Sequence, residues 1–246
     1  MTSKRTILFA VLLGAGLPAA VIAGPPFLTD DPQPVDYKRH EAYLFATLDR
    51  TAGGKTVQAP AAEYNIGAAP GLQLHLVAPF AYAGPRRAAG RYGFGDVELG
   101  AKYRFLEESA GLPQAGIFPM AELATGDAAR GLGNGKTWYK LPLWLQKSWG
   151  PWTTYGGGGY ALNRAAGMRD YGFAGWLLQR GFGERLVLGG EIFAQQADAD
   201  GARGFALLNF GGYYDFTPGT SLLFSAGHTY TGERHAIAYL ALYRTW

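Results

Sequence analysis

In 246 residues the chain carries 37 Gly, 15 Tyr, 14 Phe and 6 Trp, no Cys, and a formal charge of +3. Glycine weakens helices and aromatic side chains favour strands, so the composition turns away from a helical protein and toward an all-β one; the lack of cysteine excludes a disulfide framework. Setting aside Lys4 and Arg5 with the leader described next leaves 20 basic against 19 acidic residues, a charge of +1, and nothing that points to nucleic acid.

Residues 1–23 read as a secretory signal peptide. Lys4 and Arg5 give a positive start, Ile7 to Leu17 form a short apolar run, and Val21-Ile-Ala23 offers small or branched residues for cleavage after Ala23. Residues 24–39 form an irregular Pro-rich arm, because the prolines of Gly24-Pro-Pro-Phe-Leu-Thr-Asp-Asp-Pro-Gln-Pro34 forbid regular pairing. Such a segment is either an ordered irregular arm, able to enter the lumen as a plug, or a disordered leader. From His40 to Trp246 the patterning predicts twelve strands, at roughly 40–50, 57–67, 71–83, 93–106, 113–124, 137–149, 151–162, 170–181, 184–196, 203–216, 219–230 and 234–246. No segment after the leader has eighteen consecutive apolar residues, so no helix is expected to span a membrane.

Side chains alternate faces along a strand. In Phe94 to Phe105 one face carries Asp96, Glu98, Lys102 and Arg104, and the other Val97, Leu99, Ala101, Tyr103 and Phe105. The same alternation sets Gln73 and His75 against Leu72, Leu74 and Leu76; Glu122 against Ala121 and Leu123; Lys140 and Trp144 against Leu141, Leu143 and Leu145; and Glu191 against Leu188 and Ile192. The connections alternate too. Mostly longer, polar ones such as 84–91 and 126–136 take turns with mostly tight ones such as Ala68-Ala-Pro-Gly71 and Trp149-Gly-Pro-Trp152.

A period of two fits both a soluble sandwich and a membrane barrel. The export signal, the terminal aromatic Trp246, the aromatics at strand ends and the alternating loop lengths favour the barrel. The prediction is therefore a single antiparallel transmembrane β-barrel of about twelve strands over residues 40–246, in the bacterial outer membrane, with both termini periplasmic. A lysine or arginine facing lipid near the midplane costs about 2–4 kcal/mol, so the charged phase must face the lumen. The predicted lumen-lining and solute-binding residues are Glu63, Gln73, His75, Asp96, Glu98, Lys102, Arg104, Glu122, Lys140 and Glu191. Asn65, Gln195 and Asn209 share that phase, and a symmetric 126–136 loop would pair Glu122 with Lys140. Lys147, Arg180 and Arg244 fall in the outward phase near strand ends, where the head group snorkels to water.

No cofactor or metal is expected. Gly131-Leu-Gly-Asn-Gly-Lys-Thr137 is no phosphate loop, because Arg130 stands where glycine is required and a strand follows it. Asp30-Asp31 and Asp198-Asp200 lack a calcium-loop ligand series. A lipid hydrolase would need a histidine beside a serine, and Ser225 and His228 point to opposite faces of one strand. Loop bases such as Arg86, Arg87, Arg91 and Arg130 suit lipopolysaccharide phosphates or a mouth for anionic solutes.

Gly24-Pro-Pro-Phe-Leu-Thr-Asp-Asp-Pro32, Tyr92-Gly-Phe-Gly-Asp-Val-Glu-Leu-Gly-Ala-Lys-Tyr-Arg-Phe105, Thr125-Gly-Asp127 with Gly131-Leu-Gly-Asn-Gly135, and Leu223-Phe-Ser-Ala-Gly227 resemble a family of bacterial outer-membrane, transporter-like proteins named for the meta pathway of phenol degradation. The resemblance implies a barrel and suggests solute passage; it supplies no catalytic residues. The expected function is non-enzymatic: passive passage or binding of small organic solutes by a barrel in contact with outer-membrane lipid and lipopolysaccharide. The alternatives are a closed structural or partner-binding barrel and, behind it, the lipid hydrolase.

Overall fold

A strand crossing hydrocarbon must pair every N–H and C=O within the protein. This chain meets that demand by closing its sheet. The computed structural model describes residues 26–246; the expected signal peptide lies outside the described residues. The strands are β1 His40–Thr51, β2 Gly54–Ala69, β3 Leu72–Pro85, β4 Arg91–Phe94, β5 Val97–Leu106, β6 Gln114–Ile117, β7 Met120–Leu123, β8 Trp138–Trp149, β9 Trp152–Leu162, β10 Tyr171–Phe182, β11 Leu186–Gln195, β12 Phe205–Thr217, β13 Thr220–Gly232 and β14 His235–Thr245, with one 3₁₀ turn at Ala128–Arg130. Every pairing between these strands is antiparallel, and β14 returns to β1 in unbroken register from Glu41↔Thr245 to Thr51↔His235. β4 and β5 both pair with β3, and β6 and β7 both lie between β5 and β8. These four short segments are thus two spanning strands, and the closed antiparallel barrel has twelve.

Two strands expected to be continuous, 93–106 and 113–124, are interrupted. Gly95 and Asp96 leave the ladder because a loop replaces the neighbouring strand there: Val97 N–H donates to Thr125 Oγ1 at 2.9 Å, and Gly95 N–H to the Pro79 carbonyl at 2.9 Å. At Phe118-Pro119 the proline has no N–H to offer; the Phe118 N–H reaches the Pro142 carbonyl and the Pro119 carbonyl accepts from Ala101. The first connection is tighter than the sequence suggests, since β2 already begins at Gly54 and only Ala52 and Gly53 separate it from β1.

The outer surface is an apolar belt. Leu76, Leu99, Leu143, Trp176, Leu178, Ile192, Phe210 and Leu240 all stand exposed on it. Exposed aromatics collect toward its two rims: Tyr92, Phe94, Tyr139, Tyr160 and Tyr230 at the long-loop end, and Phe105, Trp149, Phe182, Phe216 and Trp246 at the other. A closed barrel with such a belt and such girdles is built for a bilayer. The three outward bases lie near the short-turn rim and reach polar partners or rings. Lys147 Nζ meets the Ser109 and Leu112 carbonyls, Arg244 donates to Thr220 Oγ1, and Arg180 lies over the rings of Trp152 and Phe182.

Inside, the short-turn half is packed. Tyr43, Phe45, Ala61, Val187, Tyr213, Leu223, Ala241 and Tyr243 form one buried cluster across the β1–β14 seam. Glu41 is held within it by the hydroxyls of Tyr43 at 3.2 Å and Tyr243 at 2.8 Å.

Leu240 sits at the centre of β14 and is half exposed on the belt. Leu240→Arg is expected to destabilise the barrel in lipid vesicles by about 2–4 kcal/mol. Denaturant unfolding in vesicles measures it, and Arg244→Leu at the rim should move stability by no more than about 1 kcal/mol.

Candidate functional site

The lumen is not lined by the barrel alone. Residues 26–36 run inside it, rising from the short-turn rim, where Lys38 N–H donates to the Gly67 carbonyl. Phe27, Thr29, Asp31, Pro32 and Val35 are buried there. An extended segment with several prolines cannot pair with itself, so side chains of the wall take up its polar groups. Val35 N–H donates to Gln73 Oε1 at 2.9 Å. Arg104 donates to Gln33 Oε1 at 2.8 Å. Glu191 accepts the N–H groups of Leu28 and Thr29 as well as the amide of Asn209. Ser225 Oγ donates to the Pro26 carbonyl. Phe27 closes on Tyr155 and Leu177 of the far wall.

One ion pair ties the arm down. Lys102, 1% exposed, puts Nζ at 2.9 Å from Asp30 and 3.7 Å from Asp31. The wall also makes room for the arm. A Cβ at Gly116 would stand 3.1 Å from Pro32, and one at Gly175 would overlap Thr29.

A second polar group sits higher. His75 Nδ1 meets Asn65 Oδ1 at 2.7 Å, with Glu63 at 3.5 Å, while His75 Nε2 meets Glu98 at 3.2 Å. Glu98 also accepts from Lys140 at 2.6 Å. The expected Glu122–Lys140 cross-strand pair does not form. The register sets Glu122 opposite Trp138 and Met120 opposite Lys140, because the reversal centres on Arg130 rather than on Gly131, and Lys140 reaches past β7 to Glu98.

Asp96 does different work. Its carboxylate accepts the N–H groups of Gly126 and Asn134 and pins that loop over the barrel end. Thr125 Oγ1 adds a bond to the Gly95 carbonyl at 3.1 Å. A Cβ on Gly133 would lie 2.4 Å from Asp96 Oδ1, so the loop can approach only with glycine there. The glycine-rich motifs 95–96, 125–127 and 131–135 are therefore one structure, with Leu132 buried beneath it.

Between this loop and the arm remains a hollow of about 820 Å³, bordered by Asp30, Glu63, His75, Glu98, Lys102, Glu122 and Lys140. Its opposite wall is aromatic. Trp138, Tyr171, Phe173, Phe193 and Phe205 form a chain of rings with centroids 6.2–6.5 Å apart. A further hollow of about 650 Å³ near Arg169, Asp170 and Gly232 shares Gln195 and Phe205 with it. Of the sequence candidates, Glu63, His75, Glu98, Glu122, Lys102 and Lys140 border the hollow, Gln73, Arg104 and Glu191 bind the arm, and Asp96 binds the loop. An aromatic-lined lumen is expected from the sequence, whereas the pairing of the arm's Asp30 and Asp31 with Lys102 is not. Its signal was the two acids facing an inward lysine one strand system away. Ser221 and Ser225 bond to Asp215 and Pro26, while His228 lies in the outward phase with Nδ1 at its neighbour's carbonyl.

Fold and surface together define an outer-membrane β-barrel. Solved structures with the same architecture include an outer-membrane channel of Pseudomonas putida F1, 15% identical, with a TM-score of 0.66, covering 92% of this chain and 100% of that one. The porin NanC is 7% identical with a TM-score of 0.56, over 82% of this chain and 98% of its own. The translocator domain of the autotransporter NalP from Neisseria meningitidis is 11% identical with a TM-score of 0.55, over 85% and 89%. No family model and no curated protein matches the sequence.

Lys102→Met should loosen the arm by leaving Asp30 and Asp31 without their counter-charge. Breaking a buried pair from one side costs roughly 3 kcal/mol or more, so amide hydrogen exchange over residues 28–36 is expected to quicken on the order of a hundredfold, read by mass spectrometry. Exchange in β1 and β14 should not change. Asp96→Ala should expose the 127–136 loop to protease at the surface of intact cells while the barrel keeps its heat-dependent gel shift.

Proposed function

We propose that this barrel gives small organic solutes passive passage across the bacterial outer membrane, with the 26–36 arm as the internal gate. The observation that carries this reading is the hollow of about 820 Å³ enclosed by a closed wall and lined by both charged and aromatic groups. Charged groups that line a hollow suit polar contents, whereas a barrel with only a mechanical role is served by apolar filling. The floor of the hollow is a segment without strand or helix, tied to the wall by hydrogen bonds, the Lys102–Asp30 ion pair and the packing of Phe27. Two of the solved barrels with the same architecture are a channel and a porin, which supports passage in this general sense. The resemblance to the transporter-like family named for phenol degradation belongs to the same reading, and its Gly95-Asp96, Thr125-Gly126 and Gly131–Gly135 pieces meet at one place in the fold. The exposed loop bases, among them Arg86, Arg87 and Arg91, would hold lipopolysaccharide phosphates around the mouth.

One observation favours a closed structural barrel instead: the arm and the Tyr43–Tyr243 cluster together occupy the short-turn half of the lumen. Planar bilayers separate the two. On the passage reading the exported chain conducts, and deletion of residues 26–35 raises the unit conductance several-fold. Lys102→Glu with Arg104→Glu shifts ion selectivity toward cations. Silent bilayers for both the intact and the arm-deleted chain would overturn passage and leave the structural role.

A further inference from the structure

We propose that the hollow binds small organic cations, with an ammonium group among the carboxylates of β2, β5 and β7 and a carbon body against the aromatic wall. The inference rests on the passage reading and names its solute class.

Charge is the first argument. Glu63, Glu98 and Glu122 border the hollow, and Lys140 is the lysine among them. A proton on His75, between Glu63 and Glu98, still leaves one carboxylate in excess. Asp30, Asp31, Glu191 and Asp96 do not enter this count, because their oxygens are taken by Lys102 or by N–H groups of the arm and the loop. A surplus of carboxylate in a confined lumen is relieved by a proton or an incoming cation and aggravated by an anion.

Ring geometry is the second. The protein already sets its own ammonium groups over rings at this site. Lys102 Nζ lies 5.0 Å from the Phe118 centroid, and Lys140 Nζ lies 5.2 Å from that of Trp138. Ring faces here are turned toward cations, and the remaining rings of the wall offer more of the same surface.

The arginines of the loops carry the opposite sign, but they stand in solvent, where salt screens them within about 8 Å. They do not set the choice made inside.

The test uses the exported chain folded in detergent and three probes of one shape, benzylammonium, benzyl alcohol and benzoate, titrated calorimetrically at physiological salt. Benzylammonium is expected to bind about tenfold or more tightly than benzyl alcohol, and benzoate most weakly. Glu63→Gln with Glu122→Gln should abolish the preference while the heat-dependent gel shift reports an intact barrel. Equal binding of all three probes by the unaltered chain, or a preference for benzoate, would overturn the inference whatever the variant does. Bilayer recordings keep the two readings apart. Conduction without cation preference refutes the solute class alone, whereas benzylammonium binding without conduction refutes passage and leaves the site.

Discussion

In hydrocarbon an unpaired peptide group has no water to turn to, and the ladder between β1 and β14 removes the last two free edges of this sheet. Once the ring is closed, each residue has only two directions, lipid or lumen. The alternation of the sequence then becomes a division between a belt of Leu, Ile, Trp and Phe and an interior of Glu, Lys, Gln and His. The interruptions at Gly95-Asp96 and Phe118-Pro119 are tolerated because other groups supply the missing partners: the side chain of Thr125 in one case and the Pro142 carbonyl in the other.

The interior is layered. Near the short turns, Tyr43, Tyr243 and their neighbours fill the cross-section as a soluble core would. Above them the arm crosses the lumen, held by Lys102 and Gln73 on one wall and by Glu191 and Ser225 on another. Above the arm lies the hollow bordered by Glu63, Glu98, Glu122 and Lys140. Twelve strands enclose more room than their own side chains occupy, yet less than the open water column of a large porin, and this chain divides that room between packing, arm and hollow.

The alternation in 94–105 was enough to orient the barrel wall, because a charge facing lipid is too costly for the opposite phase to compete. That is why Asp96, Glu98 and Lys102 were found inside. Strand number was legible for the same reason, with turn residues marking each reversal. Three things were not. The partner of Lys140 depended on a register that the folded 124–137 loop decides, and a loop built on long-range bonds to Asp96 leaves no local signature. The two strand breaks depended on a replacement partner from outside the strand. The arm's course depended on contacts with residues far along the chain, so its Asp30 and Asp31 look like solvated acids until Lys102 is placed beside them.

That last feature has a consequence for assembly. The arm is made first, yet Leu28 bonds to a residue 163 positions later and Pro26 to one 199 positions later. Its final seat therefore does not exist until nearly the whole wall has been delivered, and the seam itself joins the earliest strand to the latest. Bringing such distant segments together carries a loop-closure cost that nearby contacts avoid. The arm is therefore the first described segment of the chain and among the last to have a complete set of partners.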